Sequence, residues 1–195
     1  SRRQRQMCIR DRFYEYYRNE ILSKHLEAGK GNEALARLEA AGYLKTIITK
    51  GIYNMPQKAG CKNVINIYGN IYENNACPRC GKIFPIEYIK NSDKVPLCDV
   101  CKSTVIHPGV YLHGEMLSNT VISHAVEEVA KADTILVLGM NLNSSLCKDM
   151  LPHFTGKNLI VIHKEPHYLD EKATAAYHGA VSEILPEVAE SILDT

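Results

Sequence analysis

The apolar positions of this chain change rhythm along its length. Over residues 13–26 an aromatic-rich, charged stretch has helical spacing, and Gly29-Lys30-Gly31 ends it. Asn32 stands as an N-cap for a second helix that places Ala34, Leu35, Leu38 and Ala41 on one face and stops at Gly42. Short apolar runs at Thr46-Ile47-Ile48-Thr49 and over residues 64–67 read as buried strands, the second ending at Tyr68-Gly69. Farther on, Val121, Ile122, Ala125, Val126 and Val129 share a helix face, and Thr134-Ile135-Leu136-Val137-Leu138 reads as a fully buried strand. A helix over residues 145–153, a strand over 159–162 and a closing helix over 182–193 follow, with Pro186 in the early turns of the last or kinking it.

Strands alternating with helices predict an α/β fold, a Rossmann-like parallel sheet with helices on both faces. Such sheets bind ligands outside the carboxyl ends of their strands. Here those ends are Thr49-Lys50-Gly51, Gly139-Met140-Asn141 and His163-Lys164.

Residues 71–106 break the alternation. Pro85, Pro96 and Asn91-Ser92-Asp93 favour loops and tight strands over helix. Two C-x2-C pairs, Cys77/Cys80 and Cys98/Cys101, lie seventeen residues apart. Each pair is short enough for both thiolates to reach one ion, and the insert is long enough to fold back and complete a tetrahedron. Four thiolates leave no open position, so the zinc such a module holds is structural; two redox motifs or unconnected cysteines are the other reading. His107, six residues past Cys101, is a competing ligand that a four-sulfur site does not need. Cys61 and Cys147 read as small buried or partly exposed thiols.

A chain of 195 residues with 45% hydrophobic content can bury a core, as one domain with a small appendage or as two small domains. It contains no apolar run of membrane-spanning length and no signal-peptide core. With its cysteines read as reduced and metal-bound, a soluble cytoplasmic protein is expected. The net charge of +1 is unevenly placed, because residues 1–12 hold five Arg and one Asp. Without them 18 basic and 21 acidic residues remain, a net of −3 that is unsuited to gripping a phosphate backbone. A zinc-ribbon nucleic-acid binder is therefore the remote alternative, and Tyr14, Tyr16 and Tyr17 are expected to pack a helix instead of stacking on bases. Residues 1–12, including Cys8, read as a non-native leader of translated adapter sequence, with the true start of the protein lost ahead of residue 13. Residues 13–70 and 107–195 are then the Rossmann-like part, and 71–106 the zinc module.

The ordered motifs from Phe13 onward resemble the sirtuin family of NAD-dependent protein deacylases. Ala34-Leu35-Ala36-Arg37-Leu38-Glu39 before Gly42 is similar to the helix that precedes the family's Thr-Gln-Asn-Ile-Asp segment. Gln57-Lys58-Ala59-Gly60 resembles the loop after it. The paired cysteines, Pro108-x-Val110, Gly114-Glu115, Ala132-Asp133-x-x-Leu136-Val137-Leu138-Gly139 and Glu183-Ile184-Leu185-Pro186-Glu187 follow in the family's order. The resemblance implies a Rossmann-type NAD domain and a small zinc domain, with an acyl-lysine protein or peptide bound in the cleft between them. It also implies a first strand and glycine-rich phosphate loop, both of which would precede Phe13 and are expected to be missing by truncation. It implies NAD contacts at Thr49, Ile52, Gly139, Asn141, Leu142 and His163, and acyl-peptide contacts at Val110, Gly114 and Glu115.

Several positions depart from the family's pattern. Tyr68 stands where the family has the histidine base that precedes Gly. Thr49-Lys50-Gly51-Ile52-Tyr53 replaces Thr-Gln-Asn-Ile-Asp, and Gly139-Met140-Asn141-Leu142 replaces Gly-Thr-Ser-Leu. His163 takes an Asn position near the adenine ribose, Val181 an Ala position near adenine, and His113 the Phe of Phe-Gly-Glu. The chemistry the family implies has two stages. The acyl oxygen displaces nicotinamide to give an alkylamidate, and a base-activated ribose hydroxyl then attacks that intermediate. An imidazole, with a reference pKa of about 6.5, suits the second stage, whereas a phenol at about 10 stays protonated at neutral pH. Three readings stand side by side: a diverged deacylase with His113 or a water chain as substitute base, an ADP-ribosyl transferase or NAD-derivative hydrolase, and a non-catalytic binder of NAD or acyl peptide.

Overall fold

In chain order the elements are α1 (Arg2–Tyr16), prolonged by a π-helical segment Tyr17–Leu22, α2 (Lys30–Ala40), β1 (Ile47–Thr49), α3 (Met55–Lys58), β2 (Val64–Asn66), β3 (Asn75–Ala76), β4 (Ile83–Phe84) and α4 (Ile86–Lys90). Then come α5 (Asn119–Lys131), β5 (Thr134–Leu138), α6 (Ser145–Met150) with a 3-10 turn Leu151–His153, β6 (Asn158–His163), a 3-10 turn Tyr168–Lys172, β7 (Ala175–His178) and α7 (Val181–Leu193). This computed structural model describes residues 2–194, with side chains from residue 9 onward. Cys8 and the first arginines of the expected leader lie outside the described side chains. Among the described residues no helix is long and apolar enough to cross a membrane.

The chain divides into two units. One comprises Glu27–Thr49, Met55–Ile67 and the chain from Leu117 onward. It carries the α/β alternation: β5, β6 and β7 form a parallel sheet in that order, and β1 pairs with β2 in a separate parallel pair. The central strand β6 buries Val161, Ile162 and His163. β5 lies at an edge of the three-stranded sheet, so only Val137 of its five residues is buried, in place of the fully buried strand expected. Leu35 and Leu38 of α2 pack with Leu185 and Ala189 of α7, beside Leu136 and Leu138. Each fully buried leucine there is worth about 1.5–3 kcal/mol of transfer from water.

Local corrections follow from the caps. α2 begins after Gly29, with Asn32 already in its first turn, so Asn32 is no N-cap. Its end is as expected: Gly42 has φ +83°, and the Tyr43 N–H donates to Leu38 O at 3.0 Å, closing the helix as a left-handed cap. Pro186 lies inside α7, past the first four residues whose N–H groups need no helical partner. The helix nevertheless continues to Leu193.

The other unit comprises the chain up to Leu26, Lys50–Asn54 and Tyr68–Met116. Tyr14, Tyr17, Ile71, Phe84, Ile89 and Ile106 form its buried centre. The Tyr14 hydroxyl donates to Ile106 O, and burial, opposed by Arg10, pushes its pKa up to about 12. Tyr14 and Tyr17 therefore pack the helix, as expected, while Tyr16 is 58% exposed. The helical stretch ends at Leu22, short of the expected residue 26. The proline-punctuated insert does contain a tight hairpin, β3 with β4, but also the short helix α4, started by Pro85 with its fixed φ of −66°.

Candidate functional site

The cysteine motifs build two matching turns. In the first the Gly81 N–H donates to Cys77 O at 2.9 Å, and in the second the Lys102 N–H donates to Cys98 O at 2.8 Å. Both turns end in left-handed backbone, Gly81 at φ +72° and Lys102 at +59°. Salt-bridged Lys82 and Asp99, 2.5 Å apart, join one turn to the other. The turns bring all four Sγ atoms within 4.8 Å of one another, with Cys77–Cys101 at 3.9 Å and Cys80–Cys98 at 3.7 Å.

Sulfurs bound to zinc at about 2.3 Å in a tetrahedron stand about 3.8 Å apart, the spacing that the Cys77–Cys101 and Cys80–Cys98 pairs already have, so the four cysteines fit the ion. Electrostatics points the same way. Burial raises the Cys77 thiol, but N–H donors from Cys80 and Arg79 outweigh it and bring it down to about 6. Burial and the neighbouring sulfurs push Cys101 up to about 12. Four sulfurs this close resist sharing negative charge until a cation compensates it. His107 takes no part: its Nε2 meets Glu115 Oε1 at 2.7 Å and its Nδ1 meets Pro108 O at 2.7 Å. Cys61 and Cys147 are buried thiols, within the expectation for them.

In the same unit Tyr68 is half-buried, and its carbonyl accepts from the Tyr111 N–H at 3.0 Å. Gly69, at φ +71°, pairs with buried Val110 in an isolated antiparallel bridge. Val110 and Tyr68 are thus held by adjoining backbone. The loop beyond carries exposed His113 and Gly114 at φ +88°. Glu115 is engaged with the chain itself, accepting from the Leu112 N–H at 2.8 Å as well as meeting His107. Burial opposes its ionisation, but these partners outweigh it and hold the carboxyl below its ordinary value. Ile52 O accepts from the Ile71 N–H at 3.0 Å.

In the α/β unit Thr49, Gly139, Asn141 and His163 stand at or just beyond the carboxyl ends of strands, while Ile52 belongs to the other unit. Thr49 ends β1 opposite Asn66. Gly139 follows β5 at φ +69°, its N–H donating to Ile162 O at 2.8 Å. Asn141 Oδ1 accepts from the Asn143 N–H at 3.0 Å, which turns the chain and leaves the amide NH2 to donate. Leu142 is buried with Val137, Cys147 and Val161, a packing residue in this loop. His163 is buried at the end of β6 and reaches Asp170.

Two residues of this last cluster, Asp170 and His178, were not legible in the sequence. They come together through β7, a four-residue strand without alternation, and through a 3-10 turn whose cap is His167. The His-x6-Asp-x7-His spacing matches no helix or strand period that would have marked it.

Comparison with known proteins closes the case for the framework. The Sir2 family profile matches residues 2–145. An NAD-dependent protein deacetylase from Clostridium acetobutylicum is 33% identical over 177 residues, which cover 90% of this chain and 71% of that protein. A structure of Sir2 bound to acetylated peptide aligns with a TM-score of 0.83 at 28% identity, over 95% of this chain and 79% of that one. A Sir2 histidine-to-tyrosine mutant with p53 peptide and NAD aligns at 0.81 and 29% identity, over 95% and 80%. The strand-end loops, the four-cysteine module set between strands and these matches have one explanation: the chain belongs to the Sir2 family, the sirtuins.

Proposed function

We propose that this protein binds NAD and an acyl-lysine protein or peptide and is a protein-lysine deacylase of the Sir2 type, with its second chemical stage slowed by Tyr68. The observation that carries the reading is the seat of Tyr68. The bridge between Gly69 and Val110 holds this residue in place, at the position that the family resemblance assigns to the base, but it brings a phenol there. A phenol is a poor proton acceptor at neutral pH, and a positioned base contributes about 10²–10⁴-fold. Release of nicotinamide needs no base of that kind, so the first stage survives while transfer to the ribose hydroxyl lags.

In this proposal Thr49, Ile52, Gly139, Asn141, Leu142 and His163 serve NAD. The Asn141 NH2 is available as a donor, whereas His163 has its Nε2 at Asp170 and can offer a nucleotide only its other nitrogen or its ring face. Val110, Gly114 and Glu115 serve the acyl peptide, Glu115 by fixing the loop through Leu112. His113, exposed, is the substitute base of the deacylase reading. The Sir2 histidine-to-tyrosine mutant with p53 peptide and NAD supports binding of both ligands by a scaffold altered in that manner. A cytoplasmic location belongs to the same proposal, supported by cysteines paired as for metal binding with no disulfide among those described.

The test is nicotinamide exchange on an acetyl-lysine peptide, run with the full-length protein beside deacetylation and NAD binding. Exchange outpacing deacetylation is the expected result. NAD and peptide binding without exchange would mark a non-catalytic binder, and no NAD binding at all would overturn every NAD reading.

A further inference from the structure

A second set of metal-ligating side chains converges in the α/β unit, apart from the cysteines. β6 and β7 run parallel, and their last register pair is His163 with His178. Both imidazoles therefore stand at carboxyl strand ends. The 3-10 turn Tyr168–Lys172 in the connection sets Asp170 between them, with Oδ1 2.9 Å from His163 Nε2 and Oδ2 2.9 Å from His178 Nε2. The turn is fixed by its own cap: the His167 N–H donates to Asp170 Oδ2 at 2.9 Å, and the Leu169 N–H donates to His167 Nδ1 at 3.2 Å. The carboxylate is thus steadied by a backbone donor, the support that ligating carboxylates receive.

We propose that His163, Asp170 and His178 form a binding site for a first-row divalent transition-metal ion, distinct from the four-cysteine site. Two imidazoles and one carboxylate are a donor set suited to zinc, cobalt, nickel or ferrous ion. The candidate ligand atoms all lie within 4.8 Å of one another. With metal–ligand bonds of about 2.1 Å, ligands at right angles around one ion stand about 3 Å apart. The two N···O separations of 2.9 Å already have that spacing.

Ligation asks each neutral imidazole to carry its proton on Nδ1 in place of Nε2, a change of tautomer with no net proton transfer. The ion then meets a site of net charge −1. The side chains of His163 and Asp170 are 7% and 10% exposed, and that of His178 is 36% exposed, so the ion enters and keeps its remaining positions on the His178 side. The other account of the same geometry is a metal-free trio in which Asp170 accepts a hydrogen bond from both rings. The two accounts differ in the number of ions held per chain.

The experiment is cobalt(II) loading of the untagged protein, followed by dialysis and measurement of cobalt per chain by plasma emission. Two equivalents are expected. His178→Gln should lower the count to one while leaving the thiolate-to-cobalt charge-transfer band unchanged, because that band belongs to the cysteine site. One equivalent in the unaltered protein, or two retained in His178→Gln, overturns the proposal. X-ray absorption at the cobalt edge of the unaltered protein decides even if the variant misfolds. Mixed sulfur and nitrogen or oxygen scattering supports the site, and sulfur alone overturns it.

Discussion

A Cβ placed on Gly69 would stand 2.1 Å from the carbonyl oxygen of Gly109, closer than any side chain tolerates. The same glycine has φ +71° and bridges to Val110, so two independent constraints converge on it. Tyr68 directly precedes it. A side chain at position 68 can change while its seat remains, because the seat is made by backbone. Gly69→Ala is therefore expected to destabilise the protein by about 2–4 kcal/mol, combining left-handed strain with displaced backbone. Urea unfolding of the two proteins measures this, and a change under about 0.5 kcal/mol would show that the bridge yields freely.

The four-cysteine site should govern whether its unit folds. Zinc binding in small zinc peptides is worth about 10–16 kcal/mol, more than the stability of most domains. Cys98 is 1% exposed, which leaves no room for a substitute ligand from solvent. Cys98→Ser should lose the sulfur-bound metal and collapse the unit around Ile89 and Ile106. Metal content and near-ultraviolet circular dichroism report both effects. Retained dichroism in a zinc-free variant would mean the apolar centre suffices alone.

Glu128 supplies a pH dependence whose sign can be worked out. It accepts from Thr46 Oγ1 at 2.8 Å and from Lys131 Nζ at 3.0 Å, and the Lys131 and Thr46 hydrogen bonds hold its carboxyl below the ordinary value. A lowered folded-state pKa stabilises the fold above the unfolded value of about 4.3, and that stability fades as pH falls through the folded-state value. Glu128→Gln should therefore be less stable than the unaltered protein at pH 7, by under about 1 kcal/mol for a pair this close to solvent. The difference should close in strong acid. Thermal melts across that range test it, and a gap that widens in acid would reverse the sign.

The parallel sheet, the α2 cap at Gly42 and the four-sulfur centre were legible because each rests on local signals: unbroken apolar runs, a glycine needing φ +83°, and cysteine pairs two residues apart. Tyr68 was marked by its place before Gly69. Asp170 and His178 were hidden because their meeting depends on β7 reaching β6 in a register that sets His163 against His178, a long-range fact that Ala175-Ala176-Tyr177-His178 does not announce. The start of α2 was misplaced because Gly29, which lacks a capping side chain, begins the helix where Asn32 offered a better one. The short helix α4 was masked by the prolines and the Asn91-Ser92-Asp93 turn that flank it.

In the proposed function, the residue at position 68 limits the chemistry of a Sir2-family scaffold. The most direct measurement is deacetylation of an acetyl-lysine peptide by Tyr68→His beside the unaltered protein, with nicotinamide exchange followed in the same samples. The account predicts deacetylation rising by about 10²–10⁴-fold, the usual contribution of a positioned base, with exchange changed by no more than a few-fold. Unchanged deacetylation in a variant that binds NAD and exchanges nicotinamide would contradict it.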